Sequence, residues 1–399
     1  MNLCKLNTIA TIYNGNSINK TEKEQKYMND VPGWNYIGTK DIDFNGKVTY
    51  KNGVIIPYTE TKFRVAPAGT IFVCSEGGSA GKKSAIISED VCFGNKLFAI
   101  VNDKGKFSSK YIYYYTRYSG FTKQFKLLAT SLMGGISGKN FGTIEVPLPS
   151  IEEQHRIVSR IEELFSELDK GVETLQTIKQ QLAVYRQAVL KAAFEGINST
   201  KYMVKDVCKD IKVGIVIKPS QYYTDAQKGI KAFRSANVKE FHINNSDWVY
   251  LSQAGHSINS RSVVHTDDIL IVRSGYPGTS CVVTEQFDGC NAIDILIAVP
   301  NKEIVLPQFL CAYTNSPFGK AFVSEKKRGV AQKHFNVSGY SKMMIPVPDL
   351  NKQREIVQEV ESRLSVCDSI EQTVDTALSQ AEAMRQSILK KAFEGGFSE

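Results

Sequence analysis

The chain has 399 residues, which is enough for two or more domains. It carries 49 Lys and Arg against 41 Asp and Glu, so its formal net charge is +8 with histidine neutral. No stretch is long and apolar enough to span a bilayer, and the N-terminal residues lack a secretory signal, so we expect a cytoplasmic protein without a membrane partner.

The first predicted elements lie in a basic segment, residues 1–148, with 19 basic and 11 acidic residues. A strand-like run at 70–74 precedes a polar, glycine-rich loop at 75–83, and a second strand-like run follows at 84–87. The loop resembles a phosphate-binding loop. However, Glu76 takes the place of its first glycine and Lys83 takes the place of its Ser or Thr, which excludes a nucleotide site of that type.

A very long helix is predicted next, within residues 149–196. Pro147 and Pro149 stand before its first periodic residue and Gly196 follows its last, which are common start and stop signals. About 44 helical residues would span roughly 66 Å. Apolar residues keep a mixed spacing of three and four, so the helix should bury one narrow stripe against a long partner: Ile161, Phe165, Leu168, Val172, Leu175, Leu182, Tyr185 and Val189.

The remaining residues repeat this plan. Strand-like runs at 268–272 and 280–283 flank a glycine-containing loop at 273–279, and a second long helix is predicted within residues 348–399. The two helical segments match at a constant offset of 199 residues, from the proline pairs to the shared ending Leu-Lys-x-Ala-Phe-Glu-Gly. This constant register indicates a duplicated structural unit, so the chain should be an α/β (α+β) tandem duplication in which each helix pairs with the other copy.

Positive charge is confined to the two globular segments. They carry net charges of +8 and +6, whereas the helical segments carry −2 and −4. Two basic domains joined by acidic helices suggest two separate contacts with a polyanion. On charge alone, a slightly basic protein without such a ligand is an equally good interpretation.

Catalytic motifs are missing from the sequence. The five histidines are scattered without ligands at zinc spacing, and we find no dinucleotide fingerprint, no GxSxG elbow and no Asn-Pro-Pro-Tyr-like tetrapeptide of an amino-methyltransferase. The eight cysteines form no CxxC pair and are typical of reduced core residues. We therefore expect a protein that is not an enzyme and holds no metal or cofactor.

The order of segments resembles a known family. A globular domain, a Pro-x-Pro entry, a long helix ending in LKxAFEG and then the same again resembles the DNA-specificity subunit of type I restriction-modification systems, over the full chain. The resemblance implies target recognition domains at 1–148 and 197–347, with helices at 149–196 and 348–399 packed as an antiparallel coiled coil. It also implies two methyltransferase subunits that bring S-adenosylmethionine, with restriction subunits as further candidate partners.

This arrangement implies a pseudo-twofold axis, with each domain reading one half of a bipartite, asymmetric target in double-stranded DNA. The helices would set the half-sites about 10 bp apart. Lysines are expected to contact phosphates, and Arg273 is the best candidate for a bidentate contact with guanine, although an ordinary surface role competes at any one position. The candidate DNA-binding residues are Lys40, Ser79, Lys82, Lys83, Lys123, Lys126, Lys139, Asn140, Ser235, Asn237, Arg273, Tyr276, Lys326, Lys327, Arg328 and Lys333.

A second hypothesis is a coiled-coil adaptor with two protein-binding domains and no direct role on DNA. The two hypotheses differ in their salt dependence. Binding through several phosphate contacts should weaken by orders of magnitude between about 50 and 200 mM salt, whereas binding of a protein partner should not.

Overall fold

The computed structural model describes residues 2–28, 31–129, 134–328 and 335–397, with the backbone alone for 326–328. It divides into two compact units. The first contains Met1–Leu175 and Thr376–Glu399, and the second contains Gln176–Asp375. Each unit holds one α/β domain and part of both long helices.

The α/β domain of the first unit contains ten strands and five short helices in its described residues, and it leads into the first long helix. One 3₁₀ turn, Thr39–Asp41, lies between the third and fourth strands. The elements are β1 Leu3–Lys5, α1 Leu6–Ile9, β2 Thr11–Asn14, α2 Lys20–Lys26, β3 Gly33–Ile37, β4 Ile55–Pro57, β5 Val65–Ala66, β6 Ile71–Cys74, β7 Ser84–Ile86, β8 Val91–Phe93, β9 Leu97–Val101, α3 Ser109–Arg117, α4 Ser119–Leu128, α5 Gly138–Phe141, β10 Glu145–Pro147 and α6 Ile151–Phe194.

Two four-stranded sheets form the body of this domain. The first is antiparallel in the order β2-β9-β6-β7, and the second has the order β4-β3-β8-β5 with a parallel pair at β3 and β8. Every residue of β6 is buried, because helices cover one face of its sheet and apolar side chains of the second sheet region cover the other. The strand predicted at 70–74 is therefore confirmed, and so is the one at 84–87, each to within one residue.

The second unit repeats this architecture. Short 3₁₀ turns lie at Pro219–Tyr222, Ser235–Asn237, Ser260–Ser262 and Glu285–Phe287. Its other elements are β11 Lys201–Met203, α7 Val204–Val207, β12 Cys208–Val213, β13 Tyr223–Thr224, β14 Ile230–Phe233, β15 Val249–Leu251, α8 Gln253–Ile258, β16 Ile269–Val272, β17 Ser280–Val282, β18 Asn291–Ala292, β19 Ile295–Pro300, α9 Pro307–Asn315, α10 Pro317–Arg328, α11 Val337–Ser341, β20 Met344–Pro346 and α12 Leu350–Phe393.

Sheet topology confirms the internal duplication. The order β12-β19-β16-β17 in the second unit repeats β2-β9-β6-β7 in the first, and both sheets are antiparallel throughout. The parallel pair of β14 and β18 repeats that of β3 and β8. The second sheets differ at their edges, where β5 pairs with β8 in the first unit but only an isolated bridge, Val263 to Asn291, occurs in the second.

The two long helices, α6 and α12, are both 44 residues long and run antiparallel within each unit. In the first unit, the Arg156 guanidinium donates to the Phe397 carbonyl at 2.7 Å and Asp169 forms an ion pair with Arg385. Residue numbers on the α12 side thus decrease as residue numbers on α6 increase, as they do in an antiparallel pair. The ion pair of Asp169 and Arg385 recurs in the second unit as Asp368 and Arg186, at 2.6 Å. These matched pairs set the register of the two helices, and the predicted antiparallel pairing is confirmed.

A buried glutamine joins the start of α6 to the first α/β domain. Gln154 is 0% exposed. Its Oε1 accepts from the backbone N–H of Ser108, the residue before α3, at 2.8 Å, and its Nε2 donates to the Pro149 carbonyl at 2.9 Å and the Lys106 carbonyl at 3.4 Å. One amide side chain therefore ties together the helix start, the Pro-x-Pro segment and the entry to α3.

The second unit contains the same joint. Gln353, also 0% exposed, accepts from the Leu306 N–H at 2.9 Å and donates to the carbonyls of Pro348 and Ile304 at 2.8 and 2.9 Å. The repeated glutamine after the proline pair is thus a structural connection between helix and domain, which explains why it occurs twice.

The repeated phenylalanine near the helix ends is also part of the core. Phe393 of α12 lies against Tyr111 and Tyr115, with ring centroids 5.3 and 5.1 Å apart. Phe194 of α6 lies against Phe309 at 5.3 Å in the second unit. The apolar residues of the LKxAFEG ending therefore fix each helix end to a globular domain and do not face solvent.

Candidate nucleic-acid interface

Exposed basic side chains of the first unit lie on elements that contact one another. Lys40 is on the 3₁₀ turn, Lys82 is in the loop between β6 and β7, and Lys123 and Lys126 are on α4; all four are exposed. The structure therefore places these sequence-predicted residues on neighbouring segments of a single domain.

The loop at 75–83 is fixed by its glycine and by α4. The Gly81 N–H donates to the Cys74 carbonyl at 2.9 Å, and the Ser79 carbonyl accepts from the Lys82 N–H at 3.0 Å. Gly81 has φ +64°, and a Cβ at this position would come within 2.7 Å of the Phe125 ring of α4. Only glycine allows the loop to lie this close to the helix. Ser79 is partly buried, and its carbonyl helps to form the turn.

Lys83 connects this loop to the turn that follows the 3₁₀ segment. Its ammonium group donates to the Thr39 carbonyl at 3.4 Å and lies 4.9 Å from the centroid of the Phe44 ring. On the same side of the domain, partial burial and the charge of nearby Lys40 lower the pKa of Lys23. The charges of Lys23 and Lys40 therefore lie close enough to interact, and Asp41 and Glu24 act on the pKa of Lys23 in the opposite direction.

Sequence reasoning missed the turn from Ile42 to Val48, which we call the Phe44 turn. Ile42 and Val48 form an antiparallel bridge, and the Asp43 carboxylate accepts from the N–H groups of Asn45 and Lys47 at 2.8 Å each. The Asn45-Gly46 dipeptide is a strong local signal for such a turn and would have located it.

Lys139 and Asn140 lie on α5, beside the end of α4. Lys139 is exposed, whereas the Asn140 side chain donates to the Leu128 carbonyl at 3.1 Å and is partly buried. Lys139 thus extends the basic surface, and Asn140 holds two helices together.

The second unit presents a different surface at the equivalent loop, 273–279. Tyr276 at its tip is 84% exposed. Gly278 has φ +91°, and a Cβ there would lie 3.1 Å from Val323 of α10. The loop therefore packs against α10, as the loop at 75–83 packs against α4. It exposes the phenol of Tyr276, whereas the loop of the first unit carries Lys82 and Lys83.

Two predicted residues of the second unit have structural roles. The Arg273 side chain is 13% exposed, pairs with Asp294, and donates from Nε to the Phe335 carbonyl at 3.1 Å. A bidentate contact with guanine would require these bonds to break, and the DNA contact of Arg273 stays a prediction.

Asn237 also has a structural role, and its DNA contact stays a prediction. It is fully buried, and its Oδ1 accepts from the Arg234 N–H at 2.9 Å while its Nδ2 donates to the Ser246 carbonyl at 2.8 Å. These bonds cap the 3₁₀ turn Ser235–Asn237 and use the polar atoms that would have contacted a base. Ser235 is partly buried in the same turn.

The remaining candidates lie where side chains are not described. Lys326, Lys327 and Arg328 form the last turn of α10, and Lys333 falls outside the described residues. Their DNA contacts stay predictions.

Within the described ranges, no group of three or more His, Cys, Asp or Glu side chains could hold a metal ion. The cysteines of these ranges are free, and burial raises the pKa of Cys74 and of Cys290 to about 11, which disfavours the reactive thiolate. A search of the described helices finds none that combines the length and apolar character of a membrane span.

Comparisons with known proteins agree on one family. Residues 1–182 match the family model described as the type I restriction modification DNA specificity domain. The specificity subunit of the type I restriction enzyme EcoBI from Escherichia coli is 24% identical over 98% of this chain and 85% of its own length. The StySPI specificity subunit from Salmonella potsdam is 25% identical over 98% of this chain and 88% of its own.

Solved structures show the same fold. A chain from a structural study of complex assembly and conformational transition in the type I R-M system matches with a TM-score of 0.74 at 17% identity, over 98% of this chain and 97% of that one. The HsdS subunit from Thermoanaerobacter tengcongensis matches with a TM-score of 0.50 at 17% identity, over 99% and 96% of the two chains.

Proposed function

The chain belongs to the DNA specificity subunits of type I restriction-modification systems, and we propose that it selects a bipartite, asymmetric target with one recognition domain for each half. As a specificity subunit it recognises the DNA target and assembles with the other subunits of the system, and it is not itself catalytic.

The observation that carries the proposal is the difference between two copies of one domain. The sheet order is the same in both, but the loop between equivalent strands exposes Lys82 in the first unit and Tyr276 in the second. Side chains of different chemistry select different base edges. We therefore propose that the two half-sites have different sequences, read by residues 1–148 and 197–347.

The long helices would set the distance between the half-sites. Both have 44 residues, and their segments carry net charges of −2 and −4, which disfavours binding of the helices to phosphates. The sequence resemblance implies a pseudo-twofold arrangement of the recognition domains, and on that basis we propose half-site centres about one turn of DNA, or about 10 bp, apart.

We propose two methyltransferase subunits as partners, with S-adenosylmethionine bound to them, and restriction subunits as further partners in the cytoplasm. Their adenine substrate would have to leave the base stack. In the first unit, a groove of about 410 Å³ between α6 and α12 offers an apolar surface for a partner. Its lining includes Leu164, Leu168, Val172, Ala381, Met384 and Ile388.

Mapping of methylated adenines tests the proposal. The chain and its methyltransferase partner would be expressed in a host that lacks other adenine methylation, and modified bases would be sequenced. We expect a split, asymmetric motif, whereas a contiguous palindrome would contradict the proposal. Exchange of residues 1–148 for the corresponding domain of another specificity subunit should change one half of the motif and leave the other half unchanged.

Salt dependence separates this function from the adaptor hypothesis. DNA affinity of the assembled complex should fall by orders of magnitude between about 50 and 200 mM salt. A complex that binds no DNA at low salt, while still binding a protein through its α/β domains, would favour the adaptor.

A further inference from the structure

Phe44 is an exposed aromatic side chain on the basic surface of the first unit. It is 59% exposed, although burial of a phenylalanine side chain stabilises a folded protein. Its ring lies beneath the Lys83 ammonium group, 4.9 Å away. Most of the Phe44 ring therefore remains in contact with water after folding. A bound ligand would cover this apolar surface.

The backbone that carries Phe44 is rigidly held. The Asp43 N–H donates to the Lys47 carbonyl at 3.1 Å, which closes the Phe44 turn, and the Asp43 carboxylate accepts two further N–H groups inside it. Gly46 has φ +86°, and a Cβ there would come within 2.2 Å of the Tyr113 hydroxyl. The turn can therefore approach α3 this closely only with glycine at this position.

Two side chains of α3 donate hydrogen bonds to backbone carbonyls of the Phe44 turn. The Arg117 guanidinium donates to the Phe44 carbonyl at 3.0 Å, and the Tyr113 hydroxyl donates to the Asn45 carbonyl at 3.2 Å. Arg117 also lies over the Tyr113 ring, with its guanidinium carbon 5.5 Å from the centroid. The carbonyl groups of Phe44 and Asn45 thus point toward α3. Because the turn is already ordered, binding of a ligand by the exposed ring has no entropic cost of ordering the turn.

The surroundings of the ring favour a nucleic acid over a protein surface. Lys40 and Lys47 are exposed on the same short segment, and Lys83 contacts the ring itself. Asp41, the acidic residue of this 3₁₀ turn, is 8% exposed, and its carboxylate accepts from the Gly38 N–H at 2.8 Å. The exposed Asp43 carboxylate accepts from the N–H groups of Asn45 and Lys47 inside the turn. The lysines of this segment can bind phosphates while the phenyl ring contacts a base.

We infer that Phe44 is the apolar base-reading side chain of the first unit and that it contacts the 5-methyl group of a thymine in its half-site. A phenyl ring has no hydrogen-bonding group, so it can discriminate only apolar features, and in the major groove that feature is the thymine methyl. This inference rests on the proposed function, because it assigns a residue to one half of the target.

The second unit has a phenylalanine at the equivalent turn but uses it differently. Phe241 packs against the apolar core, and its N–H donates to the Ser280 carbonyl at 3.0 Å. Among the described residues of that unit, the most exposed aromatic side chain is that of Tyr276, on another loop. The thymine contact is therefore specific to the half-site of the first unit.

The test uses the full chain assembled with its methyltransferase partner, on duplexes carrying the motif found by methylation mapping. Thymines of the first half-site are replaced one at a time by deoxyuridine, which lacks the methyl group, and affinity is measured by fluorescence anisotropy. We expect one replacement to weaken binding by the wild-type chain about 3- to 10-fold. Phe44→Ala should weaken binding to the thymine duplex by a similar factor and lose sensitivity to that replacement.

Tyr58→Ala is the matched control, because Tyr58 is 57% exposed on the same domain but lies after β4 and against Trp34. It should keep the deoxyuridine sensitivity. Equal weakening of specific and unrelated DNA by Phe44→Ala, or unchanged deoxyuridine sensitivity in this variant, would overturn the inference. Enhanced fluorescence of 2-aminopurine that depends on Phe44 would also overturn it, because it would show insertion between bases.

The two proposals fail in different ways. If the wild-type complex recognises no split motif, the proposed function fails. If it recognises one and Phe44→Ala behaves as wild type on every duplex, only the role of Phe44 fails. Circular dichroism of the variant, expected to match the wild type, shows that the domain is folded.

Discussion

Replacement of Gln154 by leucine should loosen the joint between α6 and the first α/β domain. Gln154→Leu introduces an apolar side chain of similar size and leaves the Ser108 N–H and the Pro149 carbonyl without their partner. Each unsatisfied group costs about 1–3 kcal/mol, and the 3.4 Å contact with Lys106 adds little. Because these groups are only partly buried, we expect a loss of about 2–4 kcal/mol in the free energy of unfolding of the first unit.

Gln154→Glu makes the same test dependent on pH. The carboxylate can still accept from Ser108, but an oxygen now faces the Pro149 carbonyl where Nε2 donated. Burial and this carbonyl should raise the pKa of the introduced carboxyl group in the folded state above its unfolded value. The loss of stability caused by ionisation of Glu at position 154 is then complete at a pH above the pKa of the folded state. It disappears at a pH below the pKa of the unfolded state, which is about 4.3. The difference from wild type should therefore be larger at pH 7 than at acidic pH.

The two tryptophans allow each unit to be followed separately. Trp34 lies in the first unit and Trp248 in the second, so Trp248→Phe and Trp34→Phe each leave one reporter for urea denaturation by fluorescence. Gln154→Leu should shift the Trp34 transition more than the Trp248 transition. Gln353→Leu, the matched change in the second unit, should do the reverse.

Two results would refute this reasoning. A shift of the Trp34 transition by less than about 0.5 kcal/mol in Gln154→Leu would show that water replaces the amide without loss. A Gln154→Glu variant whose deficit grows on acidification would show that the carboxylate, not its protonated form, fits the joint.

Three further predictions concern the end of α12, the loop at 273–279 and the buried thiol of Cys74. Phe393→Ala should lower the stability of the first unit by about 3–5 kcal/mol in urea denaturation, while Met384→Ala, at an exposed position on the same helix, should change it little. Arg273→Ala should destabilise the second unit in thermal unfolding. Tyr276→Ala should leave thermal unfolding unchanged but weaken binding to the second half-site in fluorescence anisotropy. Because burial raises the pKa of Cys74 to about 11, this thiol should resist iodoacetamide at pH 8 until urea unfolds the chain, which mass spectrometry would detect.

The long helices and the duplication were predictable because their signals are local and repeated. Proline pairs, periodic apolar residues and a closing glycine bracket segments 149–196 and 348–399, and the structure has helices at Ile151–Phe194 and Leu350–Phe393. Gly196 and Gly395 have φ values of +74° and +91°, the left-handed geometry that ends a helix. The buried strands of each domain were likewise visible as short apolar runs between glycine-rich loops.

Side-chain roles in the interface were less predictable, because they depend on partners far away in the sequence. Arg273 stands at a strand end before a glycine loop, which favours an exposed role, but Asp294 and the Phe335 carbonyl occupy its guanidinium. Asn237 gives no local sign that its amide is enclosed by the segment ending at Ser246. Phe44 carries no charge, so the distribution of basic residues along the sequence does not indicate it.

The two halves of the chain differ most where their functions should differ. The joint is the same in both, with Gln154 and Gln353 making equivalent bonds and the ion pair of Asp169 and Arg385 repeated as Asp368 and Arg186. The loops have diverged, so that the phenylalanine of one turn is exposed and that of the other is packed. Under the proposed function, a constant joint would serve any pair of recognition domains, while variable loops would change one half-site without disturbing the other. Substitutions at the joint should therefore impair recognition of the whole target, and substitutions in a loop should affect one half alone.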